Sequence, residues 1–201
     1  NYVEIKESII NNIPTINVKI LNPSKLKFEI TKVNTSGNPI VDASFSVKSP
    51  ILNSSNINNE YLDRSNIRNM NNNGYYFAET NDKGTFFFED GSLIQGIYEY
   101  EIRETNVSSP YLNLFKDYKI YVKINIDNKG KIVFGNYNNG KKFEIRDQNG
   151  NIAPESYYQY VADPYIETVN NVQCVKVKIE NPVKYKFKLN KSMYSKDVIN
   201  L

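Results

Sequence analysis

The chain has 201 residues, with 25 basic and 22 acidic side chains, one cysteine, no histidine and no tryptophan. Without histidine there is no Ser-His-Asp or Cys-His centre, no His-metal site and no imidazole acid or base near neutral pH; one cysteine allows neither an intrachain disulfide nor a Cys₄ zinc site. A net charge of +3 without a basic run leaves no nucleic-acid footprint, and no apolar run approaches the roughly 18–20 residues of a membrane-spanning helix.

The remaining composition points to strands. Tyrosine (16) and phenylalanine (10) are plentiful, as are 23 isoleucines, and 40% of the residues are apolar. Aromatic and β-branched side chains suit a pleated, half-buried surface. The 31 asparagines and the 21 lysines against 4 arginines are a compositional bias without direct chemical meaning. No basic-then-apolar secretion signal opens the sequence, which reads as a segment excised from a longer chain.

Residues 10–32 (INNIPTINVKILNPSKLKFEITK) match residues 169–191 (VNNVQCVKVKIENPVKYKFKLNK) at a constant offset of 159, without a gap. Each copy reads as a junction, where one unit closes with a strand ending at Asn-Pro and the next opens with a strand running to a lysine. The expected organisation is therefore a tail strand of a preceding repeat (1–22), one β-sandwich domain (23–182) and the start of a following repeat (183–201).

The strands follow in order. Leu26, Phe28 and Ile30 alternate with Lys25, Lys27, Glu29 and Thr31, and Ala43, Phe45 and Val47 form a second alternating run. Residues 53–74, rich in Asn and Ser, predict a long surface loop with a helical turn near 60–69. Tyr76, Phe86 and Phe88 flank the turn Asn81-Asp82-Lys83-Gly84. Tyr98, Tyr100 and Ile102 alternate with Glu99, Glu101 and Arg103. Ile120, Val122, Ile124 and Ile126 make one face of the next strand, and Asp127-Asn128-Lys129-Gly130 turns the chain into 131–134. A second insertion spans 136–170 with a strand near 143–146. Val175, Val177 and Ile179 then alternate with Lys176, Lys178 and Glu180. Short strands at this spacing predict an all-β, immunoglobulin-like antiparallel sandwich with two insertions.

Extending three alternations by one position exposes an anomaly. After Leu26, Phe28 and Ile30 the next inward residue is Lys32. After Tyr98, Tyr100 and Ile102 it is Glu104, and after Val175, Val177 and Ile179 it is Asn181. Burying any one of these alone costs several kcal/mol; burying all three is reasonable if they meet.

These same segments carry a family resemblance. Phe28-Glu29-Ile30-Thr31-Lys32-Val33, with Gly37, Pro39-Ile40 and Ala43-Ser44-Phe45, resembles the opening strands of a Cna B-type (SpaA-like) domain, a module of Gram-positive surface adhesins and pilins. Glu79-Thr80-Asn81-Asp82-Lys83-Gly84 is similar to the family's Thr-rich hairpin. Gly96–Thr105 resembles its E-box, and Pro110-Tyr111 keeps part of the Pro-Gly-Tyr ending, without the glycine. The strand ending at Asn181 resembles the closing strand. The likeness covers about residues 23–182, with both insertions unmatched.

The resemblance implies a self-catalysed isopeptide bond between the Lys32 amine and the Asn181 carboxamide, with Glu104 as the catalytic carboxyl. An apolar core favours the neutral forms of amines and carboxyls. Glu104 is then expected to donate a hydrogen bond to the Asn181 carbonyl oxygen and to shuttle protons. This would be a single self-modification, not enzymatic turnover. By the repeat, Asn22 and Lys191 are the inter-repeat equivalents of Asn181 and Lys32.

Other readings of the residues stay open at this stage. Lys32 can snorkel to the domain edge, Glu104 can be a surface carboxylate, and Asn181 can serve only as a turn residue before Pro182. Glu101 is a competing carboxyl of outward parity, and Asp163 and Asn170 are competing acceptors. Cys174, of outward parity, reads as an inert thiol. Glu99, Glu101 and Asp90 form an acidic group without an EF-hand spacing. No cofactor or metal is expected.

A structural stalk or shaft module of a cell-surface protein is the leading function. Its partners would be neighbouring repeats of the same chain, and its location extracellular, anchored through a region outside this segment. The alternative is an adhesin domain that binds a host extracellular matrix protein or glycan through its insertions, with Tyr157, Tyr158, Tyr160 and Tyr165 as contacts. A secreted hydrolase fits poorly without histidine.

Overall fold

A computed structural model describes residues 2–21, 24–48, 75–93 and 95–184. The expected loop at 53–74, Asn22, Lys191 and the following-repeat segment from residue 185 onward lie outside the described residues.

Twelve strands are described. They are β1 (Tyr2–Ile10), β2 (Ile13–Leu21), β3 (Ser24–Asn34), β4 (Ser44–Lys48), β5 (Tyr75–Glu79) and β6 (Thr85–Leu93), then β7 (Gly96–Asn106), β8 (Tyr118–Ile126), β9 (Ile132–Phe134), β10 (Phe143–Asp147), β11 (Tyr165–Val169) and β12 (Val172–Asn181). One sheet runs β10-β8-β7-β4-β5, with β9 also on β8; the facing sheet runs β11-β12-β3-β6. The pair β1-β2 forms a separate two-stranded sheet, so 2–21 is a hairpin where the sequence suggested a single tail strand.

The inward faces are those the alternation predicts. Leu26, Phe28, Ile30, Val175, Val177 and Ile179 come from one sheet, and Phe45, Val47, Tyr100, Ile102, Ile120 and Val122 from the other; all are buried. The Phe28 ring stacks on Phe88 at 4.7 Å and meets Tyr100 at 4.5 Å, which ties the two layers at their centre.

Two features differ from the sequence reading. The sandwich is antiparallel except at its middle, where β12 pairs parallel with β3, from Gln173 opposite Leu26 to Asn181 opposite Asn34. A parallel pair needs a long crossover, and here almost the whole domain is that crossover. Residues 136–170 also do not stand apart. They supply β10, a 3₁₀ helix at Glu155–Tyr160 and β11, because Phe143, Ile145, Tyr158 and Val161 complete the core.

Four of the turns share one chemistry. Asn34, Asn81, Asp127 and Asp147 each accept backbone N–H bonds two and four residues ahead through a side-chain oxygen, and each is followed at the third position by a glycine of positive φ. Gly84 is the demanding case. At φ +68° an added Cβ would lie 2.5 Å from the Lys32 carbonyl oxygen and 2.9 Å from Pro39 Cβ, whereas Gly150 at φ +85° has nothing within 4 Å.

Gly84→Ala is therefore expected to destabilise the fold by about 2–4 kcal/mol and Gly150→Ala by only about 1 kcal/mol. At roughly 2–4 °C per kcal/mol for a chain of this size, thermal melts of the two variants should be clearly separated. Equal melting temperatures would contradict this account of the turn.

Candidate functional site

Three strands converge at one end of the core. β3 supplies Lys32 and, beside it, β12 supplies Asn181; the register sets Ile179 opposite Lys32, so Asn181 stands two residues farther along on the same face. β7 supplies Glu104 from the facing sheet, opposite Phe45 of β4. The relative exposures are 0% for Lys32, 1% for Glu104 and 0% for Asn181.

The three groups satisfy one another. Lys32 Nζ donates to Asn181 Oδ1 at 2.7 Å and lies 2.9 Å from Glu104 Oε1. Asn181 Nδ2 donates to both carboxylate oxygens of Glu104, at 2.9 and 3.0 Å. Glu104 thus meets the amide nitrogen of Asn181, and not its carbonyl oxygen as the sequence argument expected. The carbonyl oxygen is occupied by the lysine amine. The carboxyl therefore bridges the nucleophile and the nitrogen that would leave.

The surroundings exclude solvent. The Lys32 backbone N–H donates to the Gly84 carbonyl at 2.7 Å, and its own carbonyl accepts from Ile40 N at 2.9 Å. Its amine sits 5.6 Å from the Phe115 ring centre and 5.9 Å from that of Phe45. Burial lowers the Lys32 pKa from its ordinary 10.5 to about 8, against the opposing pull of Glu104. A larger fraction of the amine is therefore neutral, and nucleophilic, near neutral pH.

Phe115 has no place in any strand alternation. Its segment is fixed instead by the chain beyond Asn181: Leu112 N donates to the Pro182 carbonyl at 2.9 Å and Lys184 N to that of Pro110 at 2.7 Å. The sequence cue was a non-alternating cluster of apolar residues, Tyr111, Leu112, Leu114 and Phe115, in a segment without strand periodicity, and that is a weak signal.

The competing residues lie elsewhere. Glu101, on the outer face of β7, accepts from the hydroxyls of Tyr75 and Tyr121 and pairs with Lys119 at 2.8 Å. Glu99 is engaged by Tyr137 and Arg146. Among the described residues no group of three or more His, Cys, Asp or Glu could hold a metal, and Asp90's side chain lies outside the description. Asp163 forms an exposed ion pair with Lys142. Asn170 sits at φ +50° in the β11–β12 turn. Cys174 is a buried free thiol whose pKa is raised by burial. Of the four tyrosines proposed as contacts, Tyr158 is buried, Tyr157 packs on Tyr118 at 4.3 Å and Tyr160 packs against the core, whereas Tyr165 is exposed.

The depressed Lys32 pKa makes a pH prediction for an Asn181→Ala variant, which keeps the amine and the carboxyl. Between about pH 8 and 10 the unfolded chain holds a proton on Lys32 that the folded chain has released, so stability rises with pH. The gain should be about 2 kcal/mol. Above pH 10 the trend reverses, because burial and the neighbouring Glu101 and Glu99 hold the hydroxyls of Tyr121 and Tyr137 protonated in the fold. Urea titrations across this range, set against a Lys32→Met/Asn181→Ala control that lacks the rise, test the assignment.

Among curated proteins, none matches the sequence. Solved structures of similar fold include a C-terminal fragment of the pilus adhesin SpaC from Lactobacillus rhamnosus GG (TM-score 0.46, 9% identity, 83% of this chain and 48% of that one). They also include GBS52, the minor pilin of Streptococcus agalactiae (TM-score 0.38, 16% identity, 88% and 52%), and BcpA, the major pilin subunit of Bacillus cereus (TM-score 0.34, 13% identity, 87% and 35%). The chain spans about half the length of the first two and about a third of BcpA. The family model described as SpaA, prealbumin-like fold domain, matches residues 26–138. With more than half of its length matched and a sandwich built around the matched strands, the chain belongs to the SpaA family of prealbumin-like fold domains.

Proposed function

We propose that this chain is a shaft module of a Gram-positive surface protein, a pilin or adhesin, whose sandwich is locked by an isopeptide bond between Lys32 and Asn181. The observation that carries this reading is the buried triad: an amine 2.7 Å from a carboxamide oxygen, with a carboxyl within 3.0 Å of both the amine and the amide nitrogen. Membership of the SpaA family and the resemblance to Cna B-type modules support it, and with it a place outside the cell beside other subunits or repeats.

The chemistry balances within the triad. A proton passes from the Lys32 ammonium to the Glu104 carboxylate and leaves a neutral amine. The amine attacks Asn181 Cγ, forming the Nζ–Cγ bond. Glu104 delivers that proton to Nδ2, the Cγ–Nδ2 bond breaks and ammonia departs, and Glu104 then takes the surplus proton from Nζ. Glu104 ends as the neutral acid, and the former ammonium nitrogen as the N–H of a neutral amide. No cofactor enters, and the event happens once per chain.

Two consequences favour a mechanical role. The bond would close a loop spanning 149 residues, worth roughly 5 kcal/mol on the loop-entropy model. It would also join neighbouring parallel strands. Load entering at Ser24 would travel along β3 to Lys32, cross to Asn181 and leave, so the chain between those residues would carry none of it.

Intact mass under denaturing conditions should fall below the sequence mass by about 17 Da, the ammonia released by amine attack on a carboxamide. A full sequence mass would refute the bond. Glu104→Ala should restore the full mass while keeping a folded domain of lower melting temperature; a retained loss of ammonia would assign the proton transfer to another group.

A further inference from the structure

Between β5 and β6 stands Thr80, a polar residue buried almost as deeply as the triad, at 2% exposure. Its hydroxyl donates to the Ile40 carbonyl at 2.7 Å and accepts from Ala43 N at 3.0 Å. Its backbone closes the same contact: Thr80 N donates to the Ala43 carbonyl and Asp42 N to the Thr80 carbonyl, both at 3.0 Å. One residue thus supplies both sides of the turn 40–43 with hydrogen bonds. That turn includes Asp42 at φ +57°, a left-handed conformation that persists where its surroundings over-determine it.

The turn leads to the triad in two directions. Toward β3, Ile40 N donates to the Lys32 carbonyl at 2.9 Å, while Lys32 N donates to the Gly84 carbonyl at 2.7 Å. The β3–β6 ladder ends at Thr31 opposite Thr85, so the Lys32 backbone is gripped by two turns and not by β6. Toward the facing sheet, Ala43 leads directly into β4. Phe45 stands opposite Glu104, and the β4–β7 register shifts between Ser44 and Phe45. An irregularity of this kind re-aims the side chains beside it. Thr80 is therefore joined on one side to the strand that carries the amine, and on the other to the strand that abuts the carboxyl.

The hydroxyl has no spare capacity. Without it the Ile40 carbonyl and the Ala43 N–H lose their partner in a buried place, which is costly. The turn regains partners only by moving, and the Lys32 backbone and Phe45 move with it. A misplacement of about 1 Å costs up to about a hundredfold in the rate of a reaction between held groups. Tyr158 offers a comparison. Its buried hydroxyl accepts from Ile145 N at 3.1 Å, but on β10, which β8 and β7 separate from β4.

We infer that Thr80 is a positioning residue: its hydroxyl ties the turn that holds Lys32 to the start of β4, and so sets the Lys32 amine against the Glu104 carboxyl across the two sheets. It acts through backbone groups of its neighbours. Its consequence for the speed of bond formation rests on the function proposed above, whereas the positioning itself does not.

Two measurements read these separately. Cell-free synthesis of the 201-residue chain, sampled over time under denaturing conditions, follows the species short of about 17 Da. Thr80→Val should form it at least about tenfold more slowly. Thr80→Ser, which restores the hydroxyl, and Tyr158→Phe should both match the parent chain. In an Asn181→Ala background no bond can form, and a double-mutant cycle of Lys32→Met with Glu104→Gln measures the coupling of amine and carboxyl. Thr80→Val should remove most of that coupling, while Thr80→Ser and Tyr158→Phe preserve it. Thr80→Ala deletes the hydroxyl without setting a methyl group against the two backbone atoms, and it takes the place of Thr80→Val if that variant does not fold. Unchanged coupling without the hydroxyl overturns the inference, as does an equal loss in Tyr158→Phe, or an unchanged rate in a chain that forms the bond. A parent chain of full sequence mass, with coupling lost only when the Thr80 hydroxyl is removed, would sink the bond and uphold the positioning.

Discussion

Three polar side chains placed under an apolar core must satisfy one another, and the rest of this domain is arranged so that they can. Lys32, Glu104 and Asn181 have no water to turn to. Removing any one partner would leave a buried charge or amide uncompensated, a loss of several kcal/mol. The parallel pairing of first and last strands brings amine and carboxamide side by side, and the packing of the two sheets brings the carboxyl over them. Phe45 and Phe115 then close the space around the amine. The same burial that makes the triad costly as separate charges lowers the lysine pKa and favours a neutral product.

Much of this was legible in the sequence because strand alternation is a strict period of two. Extending it by one residue found Lys32, Glu104 and Asn181 without any knowledge of tertiary contacts. The alternation does not encode strand direction, so the parallel β3–β12 pair was invisible. It also does not describe loops, and so it passed over Phe115. Parity placed Cys174 correctly on the outer face of its sheet, but parity does not say what covers that face. The long side chains of Lys27, Glu29 and Lys176 gather around that position, with Lys27 over the Phe87 ring and Lys176 paired to Glu29, and the thiol is buried beneath them. The triad's hydrogen-bond pattern was likewise beyond the sequence, since the orientation of an amide depends on which neighbours it meets.

The tyrosine-rich composition has a structural outlet. On the outer face of the large sheet, Tyr75 and Tyr121 donate to Glu101, Tyr137 donates to Glu99, and Arg146 lies 4.4 Å over the Tyr121 ring while pairing with Glu99 and Glu144. This lattice of phenols, carboxylates and one guanidinium binds β5, β7, β8 and β10 across the sheet's width. Aromatic rings with a polar tip suit a surface that is half covered, and Glu99 and Glu101, two members of the acidic group noted in the sequence, are engaged by it.

The loop from Val107 to Asp117 does two things with one short stretch of backbone. At Phe115 it shields the lysine amine; at Pro110 and Leu112 it grips the chain leaving Asn181. The exit strand therefore has little freedom to swivel about its own axis, because two backbone hydrogen bonds on either side of Val183 fix its heading. The chain keeps that heading as far as Lys184. Twisting it would be resisted by the same loop that keeps water from the amine, so torsional stiffness at the joint and dryness at the triad rise and fall together.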